Sequence, residues 1–189
     1  GPVSASGQVL CSAEDGASAA LSIDATFKAA EIPAAEAFRV FVAEPLASSA
    51  PFLEGARLGG QAALDLRCEG ALANPVFWGR LALSGSSLFT KHLTIHGLEL
   101  DLPFELGEQG LESSSAQEGF IHAREILVGA ASLEEISLPV RLLKGAYVLE
   151  PSRFRLHGGV LDLEELEISP WGPRGSIARA VIRARGLEI

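Results

Sequence analysis

The chain has 189 residues, 24 acidic against 15 basic for a net charge of −9, and 48% hydrophobic residues. Its mean hydropathy is +0.27. That length is enough for one domain with a core; the acidity argues against nucleic acid and anionic membrane surfaces, which select basic patches. No apolar run reaches the ~18 residues that a membrane-spanning helix needs.

The chain contains no methionine and opens Gly1-Pro2. That start reads as a protease-cleavage scar at residues 1–2, leaving 3–189 as a single domain and as a fragment of a longer protein. Two short strands are expected first, around Gly7–Ala13 and Ala19–Lys28, joined at Glu14-Asp15-Gly16, since Asp-Gly is a hairpin signal. Next comes "IPAAEAFRVFVAEPLASSAPFLEG". Pro33 suits the first helical position. Phe38, Phe41, Val42 and Leu46 share one face at helical spacing, and Pro45 with the Ser-Ser-Ala-Pro stretch ends or kinks the helix.

From Gly55 onward the hydrophobic period is two. Leu64, Leu66 and Cys68 alternate with Asp65, Arg67 and Glu69, and "VFWGRLALSG" is another strand. In "FTKHLTIHGLELDLPFEL", Leu93 and Ile95 hold one parity while Leu98, Leu100, Leu102, Phe104 and Leu106 hold the other. The phase slips at His96-Gly97, as a bulge or turn produces. Gly107–Gly119 is small, polar and aperiodic, so it is expected to be a loop and the best internal boundary. Strands resume at Phe120–Val128, Leu133–Leu143, Ala146–Leu149, through "RFRLHGGVLDLEELEISPWG" and at Ser176–Arg185. "TIHGLELDL" and "RLHGGVLDL" rhyme, either as a structural repeat or as two amphipathic strands meeting glycine turns.

About ten strands at ~4.8 Å each make a sheet ~48 Å wide. One helix is ~10 Å across and shields about two of them. The remaining apolar face has three solutions: a sandwich or flattened barrel, stacking on neighbouring parts of a longer chain, or a trough that holds something greasy. Nine Phe, two Trp and one Tyr are few, and an aliphatic lining tilts the choice towards a trough for acyl chains, where each buried CH₂ is worth ~0.8 kcal/mol.

The order of helix, Leu-Glu-Gly and amphipathic strands in "IPAAEAFRVFVAEPLASSAPFLEGARLGGQAALDLRCEG" resembles the repeated unit of the bacterial AsmA-like superfamily, which includes the TamB and YdbH types. "LLKGAYVLEPSRFRLHGGVLDLEELEISPWG" and "AVIRARGLEI" are similar to the YdbH-type segment called a dicarboxylate-transport domain. The resemblance covers most of the chain from Ile32 onward, through degenerate motifs. It implies a mainly β fold, a curled antiparallel amphipathic sheet forming a groove with one short helix. It also implies a periplasmic protein anchored in the inner membrane of a Gram-negative bacterium, moving phospholipid between the two membranes. Partners would be phospholipid acyl chains, flanking segments of the same chain and envelope proteins. The lining carried over is Leu98, Leu100, Leu102, Phe104, Leu138, Val140, Leu142, Phe154, Leu156, Leu161 and Leu163. The shortness of the chain beside such proteins leaves both an open channel segment and an end cap in play.

Catalytic chemistry finds no support. His92 and His96 lie ~13 Å apart on a strand, too far for one metal ion, and with Thr90 and Thr94 they read as an exposed polar stripe. His122 and His157 have no ligand-spaced companions. Glu134-Glu135 and Glu164-Glu165 would point to opposite faces and read as edge or turn residues. No nucleophile elbow or phosphate loop is present. Arg179, Arg183 and Arg185 form a basic edge, either solvated or in contact with lipid headgroups. Cys11 and Cys68 are too few for a disulfide scaffold; an oxidising compartment would allow them to pair, and apolar neighbours suit buried free thiols equally. The expectation is a non-enzymatic lipid-binding groove without cofactor or metal; the alternative is a closed β-sandwich serving as scaffold or protein-interaction module.

Overall fold

A computed structural model describes residues 3–12, 20–39, 55–107, 110–111, 116–156, 159–172 and 175–186. It is mainly β, with a single antiparallel sheet that does not close into a barrel and one short helix. The strands are β1 Val3–Ser12, β2 Ala20–Pro33, β3 Arg57–Ala71, β4 Asn74–Phe89, β5 Leu93–Gly107, β6 Gly110–Leu111, β7 Gln117–Val128, β8 Ala131–Leu143, β9 Ala146–Leu149, β10 Ser152–Leu156, β11 Gly159–Gly172 and β12 Gly175–Arg185. Helix α1 is Ala34–Phe38, between β2 and β3.

The strands lie side by side nearly in chain order. β9 and β10 act as one strand interrupted at Glu150-Pro151. Both pair with β11, β9 through Leu149↔Leu166 and β10 through Phe154↔Leu161. The Glu150 amide still donates to the Pro139 carbonyl of β8 at 3.1 Å. β6 is a two-residue extension paired with the end of β5. The sheet is therefore a meander, with β1 and β12 at its edges, and the strands on either side of 107–119 pair with each other from Leu93↔Val128 to Asp101↔Phe120.

Partners in an antiparallel ladder share a face. The register thus places Phe27, Leu66, Gly79 and Phe104 in one row, and Ala29, Leu64, Leu81 and Leu102 in the next, all on the same side. The opposite side carries Lys28, Asp65 and Arg80 in one row and Thr26, Arg67 and Trp78 in another. Ion pairs lace it: Lys28–Asp65 at 2.8 Å, Arg80–Asp101 at 2.8 Å, and Arg67 with Glu69 while its guanidinium sits 5.6 Å from the Trp78 ring.

Alternation would fail wherever a strand bends, and the bends are repaired by irregular residues. Gly97 has φ +61°, the left-handed conformation that glycine adopts without a Cβ penalty. It absorbs the expected phase slip, so Ile95 and Leu98 both reach the apolar face opposite Ile126 and Ala123. The two rhyming segments are not one repeated unit: Gly97 is a bulge inside β5, whereas Leu156↔Gly159 closes the β10–β11 hairpin.

Helix α1 packs on the apolar face. Ala34 and Ala37 join Leu58, Ala62, Leu83 and Leu98 in a buried cluster, flanked by Ile32, Phe38, Leu88, Ile95, Leu100 and Ile121. Pro33 is not the first helical residue. Its ring sets φ at −54°, but ψ is 119° because it still pairs with Gln61 as the last residue of β2. Phe41, Val42, Pro45, Leu46 and the Glu14-Asp15-Gly16 turn lie outside the described residues. Gly107–Gly119 is not wholly a loop either, since Gly107↔Gly110 and Leu106↔Leu111 form a short ladder.

Replacing Gly97 with valine should be costly twice over. The backbone would be strained, and a Cβ there meets the Arg124 Cβ at 2.8 Å. A loss of about 1–3 kcal/mol is expected, read as a lower urea midpoint at unchanged m-value.

Candidate functional site

The candidate site is the apolar face itself, because among the described residues the sheet has more of it than α1 covers. The accessible surface is 11829 Å². A compact monomer of 19.8 kDa would expose roughly 8,600 Å², leaving an excess of roughly 3,200 Å². The excess is of total surface, over both faces of the sheet; its apolar part is located by the half-buried side chains.

The face has three regions. Under α1, Leu98 is buried and Leu100 half-buried at the edge of the helix-capped cluster. Further along, on β8 to β11, Val140, Leu142, Leu149 and Leu163 are buried, Leu142 fully so. The third region, on β1 to β5, is more open. Ile23, Ala25, Phe27, Leu66, Phe77, Leu102 and Phe104 are all half-buried, and an open hollow of about 330 Å³ is lined by Ala5, Gly7, Ala25, Phe27, Leu66 and Cys68, with Ser6 and Thr26.

The curl between the second and third regions has an identifiable cause. Proline has no N–H to donate to a neighbouring strand, and the β5–β7 ladder stops at Asp101, two residues before Pro103. β5 continues to pair with β4 as far as Leu106↔Phe77. The sheet therefore splits, and β6, at the end of β5, comes to lie against β11. The Pro103 carbonyl accepts a hydrogen bond from the Tyr147 hydroxyl at 2.8 Å. Tyr147 shares the apolar face with Leu142 and Leu149, so the bond ties β9 to β5 past the start of β7. Gly119 sits beneath this crossing, where a Cβ would collide with the Asp101 carbonyl and meet the Pro103 Cδ at 2.8 Å. Burial pushes the Tyr147 phenol up to about 12.

On the charged face, Asp162 is 8% exposed and bridges two arginines. Arg153 Nε donates to Oδ1 at 2.6 Å and an Arg185 terminal nitrogen to Oδ2 at 2.8 Å. The hydrogen bond from Arg153, with the positive charges of both arginines, holds the carboxyl below the usual aspartate range against the opposing pull of burial. Arg183 pairs with Glu164 at 2.9 Å. The basic edge is thus tied to β11 at two of its three arginines.

All eleven residues carried over from the family resemblance fall on β5, β8, β10 or β11, and the register puts ten of them, all but Leu156, on the apolar side. The structure divides them. Leu98, Val140, Leu142 and Leu163 are buried by the protein's own packing, whereas Leu100, Leu102, Phe104, Leu138, Phe154 and Leu161 are half-buried. The Leu156 side chain lies outside the described residues, as does His157. The open β1–β3 portion was missed, although the alternation of Leu21, Ile23, Ala25, Phe27 and Ala29 in "LSIDATFKA" carries the signal.

The polar candidates are dispersed. Thr90 and His92 belong to the β4–β5 turn, where Thr90 Oγ1 accepts from the His92 and Leu93 amides, so the expected stripe begins only at Thr94. His96 is half-buried, edge-on to Phe89 with ring centroids 5.8 Å apart. Glu135 takes φ +51° and is exposed. No group of three His, Cys, Asp or Glu that could hold a metal occurs among the described residues.

Cys68 is a buried free thiol whose pKa burial raises. Its row runs through Ala25 to Gly7, whereas Cys11 pairs with Leu21. Four residues along and two strands across put the two cysteine Cα atoms roughly 16 Å apart, beyond the ~7 Å limit for a disulfide.

These features define a class: an open, one-sided amphipathic β-meander, capped by a helix over part of its apolar face. Comparison with protein-family models, curated proteins and solved structures finds no match.

Tyr147 is the sole tyrosine, so its ionisation can be followed by ultraviolet absorbance and should have its midpoint near pH 12. Because the folded value is raised, stability should be full below pH ~10, the ordinary tyrosine value, and fall as pH rises through 12. Tyr147→Phe should cost about 0.5–1.5 kcal/mol in urea unfolding and abolish that absorbance transition.

The sign is opposite for Asp162. Its depressed pKa favours the fold above the ordinary value of 3.8, and that contribution is lost as pH falls through the folded value. Asp162→Asn should lower the urea midpoint at pH 7. The gap from the parent should narrow at pH 2–3.

Proposed function

We propose that this chain is a non-catalytic lipid-binding segment whose open apolar face takes phospholipid acyl chains. It would form part of a periplasmic bridge-like protein, anchored in the inner membrane, that moves phospholipid between the inner and outer membranes. The observation that carries the lipid reading is the surplus apolar face. The register keeps one side of the sheet apolar from β1 to β11, and among the described residues one five-residue helix caps only part of it. Each CH₂ moved from water onto such a face gains about 0.8 kcal/mol, so an acyl chain is retained without a polar anchor. The envelope location and the direction between membranes rest on the family resemblance of Ile32–Gly70, Leu142–Gly172 and Ala180–Ile189.

A scaffold role is the second reading, favoured by the burial of Val140, Leu142, Leu149 and Leu163. There the sheet makes its own core and needs no ligand. The two readings part at the half-buried residues of β3 and β5. Purified protein incubated with phosphatidylethanolamine–phosphatidylglycerol vesicles and re-isolated should retain phospholipid by native mass spectrometry. Leu66→Glu and Phe104→Glu should each cut retention at least tenfold while costing no more than about 2 kcal/mol of stability. Protein that emerges free of lipid, or variants that bind as the parent does, would eliminate the lipid reading.

A further inference from the structure

The sheet opens internally between β8 and β10. Against β7 the β8 ladder runs from Ala131 to Leu142; against β9 it spans only Val140 to Leu143. One further bond follows, from the Glu150 amide to the Pro139 carbonyl at 3.1 Å. Pro139 has no N–H to return to the Glu150 carbonyl, which takes the Ser152 hydroxyl instead, at 3.1 Å. Beyond this point β10 lies alongside β8, yet among the described residues it pairs with β11 alone. The two strands border a cleft of about 410 Å³ lined by Ser132, Glu134, Glu135, Arg153 and Phe154.

Unlike charges line this cleft without meeting. Neither Glu134 nor Glu135 makes an ion pair or a side-chain hydrogen bond among the described residues. Glu134 also stands directly across the β7–β8 ladder from Glu125, an arrangement that like charges disfavour and that a cation relieves. The Ser132 hydroxyl donates to Glu125 at 3.0 Å. On the other wall, Arg153 commits its Nε to Asp162 at 2.6 Å, which orients the guanidinium, while its side chain stays 69% exposed. Phe154, the next residue, lies on the apolar side of the sheet opposite Leu161.

We propose that this cleft is a headgroup site for phosphatidylethanolamine, a zwitterion carrying a primary ammonium beside its phosphate. The inference rests on the lipid-binding reading. Glu134 and Glu135 receive the ammonium, Arg153 receives the phosphate, and the acyl chains leave past Phe154 onto the apolar face. Only a ligand with both charges compensates both walls. A glycerol headgroup brings the phosphate alone. A choline headgroup brings a cation with no N–H for the carboxylates to accept, so it forgoes the charge-assisted hydrogen bonds.

Vesicles of equal phosphatidylethanolamine, phosphatidylglycerol and phosphatidylcholine, followed by native mass spectrometry of the re-isolated full chain, read the preference. Phosphatidylethanolamine should be enriched about fivefold over either competitor, the size of one partly exposed ion pair. Glu134→Gln with Glu135→Gln should remove the enrichment and keep total phospholipid and the urea midpoint. Glu99→Gln with Glu118→Gln, an equal loss of charge elsewhere, should leave it in place. Glycerophosphoethanolamine, which has no acyl chains, should shift the amide resonances of residues 132–135 and 152–154, and glycerophosphoglycerol should not. Phospholipid retained without enrichment overturns the headgroup site and leaves the lipid reading standing. So does enrichment that survives loss of Glu134 and Glu135, or that the remote pair abolishes equally. Amide shifts at the cleft in a chain that retains no phospholipid would sustain the site and remove the acyl-chain reading; neither shifts nor retention would overturn both.

Discussion

The structure depends on keeping one parity of side chain on one side of the sheet. In a strand, a slip of one residue sends every apolar side chain to water, so a sheet this broad survives only if every bend restores the phase. Gly97 does so in β5. The register shifts between Leu83 and Ser86 in β4 and between Leu163 and Glu165 in β11 do the same elsewhere. Beyond them aliphatic side chains again face apolar ones, at Leu88↔Ile95 in β4 and Leu166↔Ala180 in β11. The polar side follows without separate provision: Lys28 meets Asp65 and Arg153 meets Asp162 because the residues between them are committed to the other face.

Two devices then decide how much of the apolar side remains open. The first is α1, whose Ala34 and Ala37 are small enough to bring the helix close onto Leu58, Ala62, Leu83 and Leu98. The second is Pro103. By withholding an N–H from β7 it frees the end of β5, and the Tyr147 hydroxyl holds that end over the face it would otherwise leave. Among the described residues, the sheet is then filled along β8 to β11, capped over β3 to β5 and open towards β1.

The strands and their common face were legible in the sequence because period-two hydrophobicity is a local signal. The slip at His96-Gly97 could be read from the change in parity of Leu93 and Ile95 against Leu98 and Leu100. What could not be read were the features set by chain segments far apart. Pro103 and Tyr147 are separated by 44 residues, and nothing in "DLPFEL" announces that its proline will be bonded from β9. The division of the lining into buried Val140 and Leu142 and half-buried Leu102 and Phe104 depends on the curl, since all four have the same local pattern. The pairing of Cys11 and Cys68 had to stay open for a similar reason: only the ladder registers show them offset along their strands. The rhyme between "TIHGLELDL" and "RLHGGVLDL" misleads because glycine serves an internal bulge in one and a hairpin in the other.

A meander has a further consequence for how such a chain is made and altered. Nearly every ladder joins consecutive strands, so each hairpin can dock on the one before it as soon as it leaves the ribosome, without waiting for a distant segment. Adding or deleting a pair of strands would change the width of the sheet and leave the remaining connections unrewired. Length in this architecture is therefore a quantity that gene duplication can adjust in small steps, much as floors are added to a building whose staircase already runs along one wall.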